Sequence, residues 1–427
     1  MLQYIWKHRL FVEADFMTTE GLPVFVIDAG IQNTDAGPDF FNAKMKIGDI
    51  IWVGNVEIHE RSSDWRQHRH QKDKLYDSVI LHVVRYHDAE VFRTDGDAIL
   101  QAILPVPEKI ERNIEWLLSR DTPVSCADRI ASISSLYLSD WLSALLTERL
   151  ERKTADIFVR LKSNLKDWNE IFYITLTRNF GFGVNGDAFE LLAASLPYKY
   201  ILKHRHNPIQ LEALFFGQAG LLDENPLNKI PVTDEDPYFL LLRREYDFLR
   251  KKYQLRPIDS ALFKKLRVRP VNFPHVRISQ LAAIWTKHDL LFSKILETKG
   301  VKELRKFFEV EPSDYWESHY RFQMSSESKK KPVGRSATDI ILINTVAPLL
   351  FAYGKYSDQS GYCDDVLQLL EDIRPERNNV VTIFRQSGFV VNNAGDTQAL
   401  IQLRREYCDK KKCLYCRIGF RLLAIQK

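Results

Sequence analysis

The chain has 427 residues and a mass of 49.9 kDa, room for roughly two or three domains. Hydrophobic residues at 45% and charged residues at 27% allow a packed core and exclude global disorder. No uninterrupted apolar run approaches the ~18 residues of a membrane helix, and Trp6, Lys7, His8 and Arg9 stand where a secretory leader would carry its apolar stretch. Five cysteines, three of them clustered near the end, do not make a disulfide scaffold, so a reducing cytoplasm is the expected setting, with no membrane partner.

Charge is distributed unevenly. Residues 1–105 hold 11 Lys/Arg against 16 Asp/Glu, a balance of −5, and the remainder carries +9. Six of the eleven histidines lie in that acidic first segment. This pattern suits a metal-dependent site joined to a basic body that meets an anionic partner, although ordinary charge scatter produces it too.

In chain order, Leu2 to Leu10 reads as a short opening helix. Gly21-Leu22-Pro23 is a turn, and Val24 to Ile27 is a β-branched and aromatic run. Phe40 to Ile47 and Ile50 to His59 alternate around Gly48-Asp49, a hairpin signal. Ser62 or Ser63 can cap a helix reaching Tyr76, and Val79 to Val84 reads as a buried strand. From Glu108 onward the spacing is helical, notably at Leu136–Leu150, Trp168–Phe180, Ala188–Leu196, Pro237–Tyr253, Arg277–Leu296 and Thr338–Tyr353. Phe180 to Asp187 is glycine-rich without a phosphate loop's lysine, and reads as a turn between helices. Arg267, Arg269 and Arg277 flank a proline loop that either bonds its neighbours or touches a phosphate backbone. Lys329 to Arg335 reads as a solvated loop or a phosphate clamp.

Pro38-Asp39 opens one strand of the hairpin and Glu57-Ile58-His59 lies on the next. Glu57 and His59 share a strand face. A hairpin bringing Asp39 beside Glu57 would make a hard-oxygen site suited to Mg²⁺ or Mn²⁺. Downstream, Asp64, His68 and Lys72 would share a helix face. On a helix His68 and His70 point about 200° apart and cannot grip one ion together, whereas in an extended segment they can.

This order of elements, with Pro-Asp on one strand and Glu-x-His on the next, resembles the PD-(D/E)XK nuclease superfamily. The resemblance implies a restriction-endonuclease-like α/β domain over residues 1–105; the helical spacing after it gives a mainly α-helical domain over 106–406, and the cysteine spacing a cysteine-rich segment over 407–427, an α/β plus α architecture. It implies metal-dependent hydrolysis of nucleic-acid phosphodiesters. Asp39 and Glu57 would hold the ion, His59 would stand where the superfamily has lysine, and His68 or Lys72 would assist. The alternative is a non-catalytic nucleic-acid-binding or scaffold protein retaining the fold, because histidine lacks lysine's permanent charge. Leu2-Gln-Tyr-Ile-Trp-Lys, Asn33 to Phe40, Gly54 to His59, Ser63-Asp-Trp, the Ile80–Val84 strand and the cysteine-rich tail together resemble an uncharacterised bacterial family, domain of unknown function 2851.

Near the end, Cys408, Cys413 and Cys416 form Cys-x₄-Cys-x₂-Cys. The close pair matches a knuckle for Zn²⁺ or iron. Three thiolates are one short of a closed site. The nearest remaining cysteine in sequence, Cys363, is the first choice for the fourth ligand, with Cys126, a histidine or a partner as alternatives. The apolar residues after Cys416 would dock on the helical body.

Overall fold

The computed structural model describes residues 1–163, 167–222, 236–265, 268 and 272–424. The expected turn at Asp223–Asn228 and the expected Arg267 and Arg269 contacts lie outside these. The chain divides into two units, one of residues 1–141 with 404–427 and one of residues 142–403.

The first unit contains a seven-stranded mixed sheet. Its strands are β1 (Met17–Thr18), β2 (Val24–Asp28), β3 (Ile31–Gln32), β4 (Phe40–Ile47), β5 (Ile50–Arg61), β6 (Val79–Tyr86) and β7 (Gln101–Ile103). The order is β1-β7-β6-β5-β4-β2, with β3 also paired to β4. The β4/β5 hairpin turns at Gly48-Asp49, pairing Ile47 with Ile50. Gly48 takes a positive φ of 58° there, as a two-residue hairpin requires. In β4, Ala43, Met45 and Ile47 are buried and Lys44 and Lys46 are exposed. Asn42, in the left-handed region, makes a bulge that lets Phe40, three residues before Ala43, point into the same core.

β5 is antiparallel to β4 and parallel to β6, and β6 is parallel to β7. A parallel neighbour demands a crossover, and residues 62–78 supply it. The expected continuous helix to Tyr76 is corrected here. The helix α2 ends after Asp64–Gln67, Arg69 turns left-handed at φ 63°, and two single 3₁₀ turns follow at His70–Lys72 and Lys74–Tyr76. Trp65 explains the break. It is fully buried against Val79, Val91 and Ile99 and donates its indole N–H to the Phe92 carbonyl at 3.1 Å. Once that ring is anchored, the next turns follow the edge of the sheet. On the other side of the sheet the opening helix α1 (Leu2–Lys7) buries Trp6 among Phe11, Phe16 and Phe40, its indole bonded to the Ala29 carbonyl.

After the sheet come α3 (Glu108–Ser119) and the start of α4 (Ser135–Ser163). The C-terminal helix Arg417–Ala424 belongs to this same unit. The Tyr137 hydroxyl donates to the Arg417 carbonyl at 3.0 Å, and Phe420 meets His8. The tail therefore docks on α3 and the start of α4, inside the 106–406 helical segment expected to receive it, and also reaches His8 near the start of the chain.

The second unit is helical, with a short hairpin of His319–Arg321 and Met324–Ser325. Helices Trp168–Phe180 and Pro237–Tyr253 have their expected bounds and acidic caps, Asp167 and Asp236. The expected 277–296 helix is two helices, Pro274–Lys287 and Leu291–Glu297, parted at Leu290 with φ 42°. Pro208–Gln218 escaped the helical pattern because eight of its residues are buried and it shows no polar face. The Phe180–Asp187 stretch is the expected turn. Arg277 lies over the Phe182 ring and bonds Gln280 and Asn272, and Trp316 is fully buried against Phe216. Lys331 corrects the solvated loop. It is 3% exposed, and its ammonium donates to the Trp316 and Glu317 carbonyls at 2.5 Å. Helix Arg335–Ser357 is long and apolar enough to cross a membrane, but 72% of its apolar window is buried inside the protein, as in a core helix. A π turn at Leu342–Val346 precedes Pro348 in it. Proline leaves the Asn344 carbonyl without its helical donor, and the Asn179 side chain supplies one at 3.0 Å.

Candidate metal centre

Asp39 reaches the site through a loop built by one side chain. The Asn33 amide donates to the carbonyls of Asp35, Ala36 and Pro38 and accepts from the Asp35 N–H. Gly37 takes φ 106° in the same loop, a conformation that favours glycine. Phe40 pairs with Val56, so Asp39 stands opposite Glu57. The Asp39 N–H donates to Glu57 Oε2 at 3.0 Å. Asp39 Oδ2 accepts from the Ile58 N–H at 3.0 Å and Oδ1 from Gln3 at 2.5 Å. The expected meeting of the two carboxylates is therefore present, locked by reciprocal backbone bonds.

Histidines complete the cluster. Glu57 Oε1 lies 3.4 Å from His59 Nε2 and 3.5 Å from His70 Nε2. His59 Nε2 lies 3.0 Å from His68 Nδ1. The left-handed Arg69 reverses the chain between His68 and His70, so both rings face the same point through a turn, not through the extended segment the sequence offered as the alternative. One ligand nitrogen from each of His59, His68 and His70 lies within 4.8 Å of the others. His70 stacks on Tyr76 with centroids 3.7 Å apart, and its Nε2 is buried without a hydrogen-bond partner. Behind the cluster, His82 pairs with Glu57 in the parallel register, and its Nε2 meets His59 Nδ1 at 2.9 Å.

The site is dry on its inner side and wet on its outer side. Glu57, His59, His70 and His82 are buried, and His68 is exposed. Burial, and then the Asp39 charge, push the Glu57 carboxyl up to about 8. Burial also raises Asp39. Burial, then the neighbouring rings His82, His70 and His68, bring His59 down to about 3. Burial lowers His70 and His82 to about 4 each. Neutral imidazoles are the form in which nitrogen donors bind metal, and binding one would release the proton that the raised Glu57 carboxyl holds at neutral pH.

The spacing fits an ion. Tetrahedral donors at about 2.0–2.1 Å from a metal stand roughly 3.3–3.4 Å apart. Three contacts bracket that value, His59 Nε2 to His68 Nδ1 at 3.0 Å and Glu57 Oε1 to His59 Nε2 and His70 Nε2 at 3.4 and 3.5 Å, while Glu57 stays outside the group of three histidines whose ligand atoms all lie within 4.8 Å. The orphaned His70 nitrogen is the atom such an ion would satisfy.

Asp39, Glu57, His59 and His68 thus converge as the sequence suggested. Lys72 does not join them. It is exposed at the end of the His70–Lys72 turn, and its expected helix face does not exist. His70 and His82 were absent from the expected site. The only sequence signal for His70 was the His-x-His spacing, usable once the helix was abandoned. His82 needed the parallel register. Cys408, Cys413 and Cys416 lie elsewhere in the first unit, and Cys363 lies in the second, its thiol facing the Phe351 carbonyl at 3.8 Å.

No curated protein and no solved structure matches the chain. One family model does, over residues 1–379, which takes in the sheet and Cys126 and stops before the Cys408–Cys416 tail that formed part of the resemblance. That model is described as Protein of unknown function (DUF2851), and the chain belongs to this family.

Proposed function

We propose that the first unit is a metal-dependent hydrolase of nucleic-acid phosphodiesters. The observation that carries this reading is the gathering of His59, His68 and His70 around one point, with the Glu57 carboxylate against His59 and His70 and beside Asp39. The sheet supports it as well. An antiparallel hairpin followed by a parallel strand delivers Asp39 and Glu57 side by side, in the order of the nuclease superfamily the sequence resembles.

Glu57, His59, His68 and His70 would hold the ion. The three imidazoles favour a first-row transition ion such as Mn²⁺ or Zn²⁺ over Mg²⁺, which prefers oxygen. A bound ion would polarise a phosphodiester and lower the pKa of an attacking water. Asp39 fixes Glu57 through its own N–H and the Ile58 bond. His82 orients His59 from behind. The exposed side at His68 leaves a face for a substrate, and Arg69 and Lys72 on the same turns supply positive charge for its backbone.

One observation favours the alternative of a non-catalytic nucleic-acid-binding protein. His59 occupies the position of the superfamily's lysine, and burial keeps it neutral. Cleavage of a panel of single- and double-stranded DNA and RNA, with Mn²⁺, Zn²⁺ or Mg²⁺, separates the two. Metal-dependent cleavage lost in both Glu57→Ala and His70→Ala supports the hydrolase. Binding without cleavage by the wild type under every ion selects the alternative, and cleavage that survives in both variants overturns the site.

A further inference from the structure

The end of the chain folds back on the segment after α3, and the contacts set four cysteines around one spot. The Arg404 guanidinium donates to the Pro123 carbonyl and the Lys411 ammonium to the Arg120 carbonyl. The Cys413 thiol faces the Leu117 carbonyl at 3.9 Å and hydrogen-bonds the Ser125 side chain, next to Cys126. Cys416 closes a turn on Cys413, its N–H bonded to the Cys413 carbonyl at 3.2 Å. The N–H groups of Ile418 and Gly419 point at the Cys416 sulfur. Gly419 packs so close that a Cβ there would stand 2.0 Å from the Cys413 carbonyl oxygen.

All six pairs among Cys126, Cys408, Cys413 and Cys416 lie within electrostatic reach of one another. All four are free thiols, and none is fully exposed. We propose that Cys126, Cys408, Cys413 and Cys416 form a four-thiolate metal centre that ties the C-terminal segment to the turn after α3.

The reasons are geometric and chemical. The Cys-x₄-Cys-x₂-Cys tail lacked a fourth ligand, and Cys126 arrives from a segment 282 residues earlier in the chain. Cys363, the nearest cysteine in sequence, belongs to the other unit. Burial favours the thiol form of all four, and the backbone N–H groups aimed at Cys416 offset only part of this, so metal binding here would release protons. Four thiolates select soft metal, either zinc or an iron–sulfur cluster, over Mg²⁺ or Ca²⁺. The four sulfurs are set more widely than the histidine triad, which among the described residues is the group of three gathered within 4.8 Å. A single tetrahedral zinc at about 2.3 Å would need the sulfurs roughly 3.8 Å apart, so this spread suits a cluster, and one zinc ion would have to draw the sulfurs together. The centre shares no residue with the histidine site, so either can fail alone.

The full chain, purified without oxygen and without added metal, decides it. Expected are iron with acid-labile sulfide and a visible sulfur-to-iron band, or zinc that Co²⁺ replaces with a near-ultraviolet sulfur-to-cobalt band. Differential alkylation read by mass spectrometry should find Cys126, Cys408, Cys413 and Cys416 protected and Cys363 labelled. The band should vanish in Cys126→Ser and persist in Cys363→Ser and His70→Ala. If Cys126→Ser does not fold, the count of protected thiols in the wild type, four against three, still decides. Neither band in the wild type, a disulfide among the four, or a band that survives Cys126→Ser overturns the proposal.

Discussion

His59 Nδ1 and His82 Nε2 face each other at 2.9 Å across the parallel strands β5 and β6. Both rings are neutral, so one nitrogen donates and the other accepts. With His59 Nδ1–H as the donor, His59 Nε2 turns a lone pair toward Glu57 and His68. The hydrogen bond that ties His82 to the cluster is the one to His59, so its orienting contribution passes through that ring. His82→Phe should weaken Mn²⁺ or Zn²⁺ binding by about 10–100-fold, the usual cost of removing an orienting partner. His70→Ala, which removes a ligand, should cost more. Titration calorimetry on both variants measures the difference, and equal affinities for His82→Phe and wild type would contradict this role.

Asn33 holds the loop that aims Asp39. Asn33→Ala removes donors to three carbonyls. At about 1 kcal/mol net per bond, and with shared geometry, the loss should be about 2 kcal/mol. Chemical denaturation followed by tryptophan fluorescence would show it, and metal affinity should fall together with stability because Asp39 is released.

His275 gives the second unit a pH dependence. It is buried among Phe216, Trp316 and Phe322 and held down to about 3, by burial first and then by the nearby Lys265 and Arg321 charges. The unfolded chain binds a proton on this residue below about pH 6.5 and the folded one does not. Its contribution is therefore intact above pH 6.5 and is lost as pH falls toward 3, by about 1.4 kcal/mol per unit at most. His275→Gln should flatten the stability profile between pH 6.5 and 5 and leave the value at pH 8 little changed relative to that slope. Urea midpoints across this range test it.

Asn179 replaces the donor that Pro348 cannot provide. Asn179→Ala leaves the Asn344 carbonyl of the π turn without this bond and removes a second one, to Thr345 at 2.8 Å. The expected loss is about 1–3 kcal/mol. Adding Pro348→Ala should recover part of it, because an alanine N–H can reach Asn344. A double-mutant cycle that shows no coupling would refute the link.

The sheet was legible where alternation and turn chemistry are local. Gly48-Asp49 and the Lys44/Lys46 against Ala43/Met45/Ile47 pattern led directly to the hairpin, and the hairpin to Asp39 beside Glu57. The crossover was not legible. Spacing from Ser63 onward looks helical, and nothing local reveals that a buried Trp65 and a left-handed Arg69 break it. With that break missed, His70 was kept out of the expected site by its helical angle to His68, and Lys72 was placed on a face that does not exist. Pro208–Gln218 was hidden for another reason, since burial on all sides erases the periodicity that marks a helix. Cys126 was one of four candidates because a single cysteine carries no spacing.

The first unit is assembled from residues 1–141 and 404–427, and the whole second unit lies between them in sequence. Ribosomes add roughly 5–20 residues per second, so the segment that covers α3 emerges on the order of tens of seconds after α3 itself. During that interval Leu117 and Cys126 lack their partners, and the second unit can finish folding first. Synthesis arrested before residue 404 would leave the first unit without Ile418, Leu422 and Leu423, which are buried in the finished fold. Nascent chains stalled at successive lengths should therefore show the first unit becoming protease-resistant only after the last twenty or so residues have left the exit tunnel.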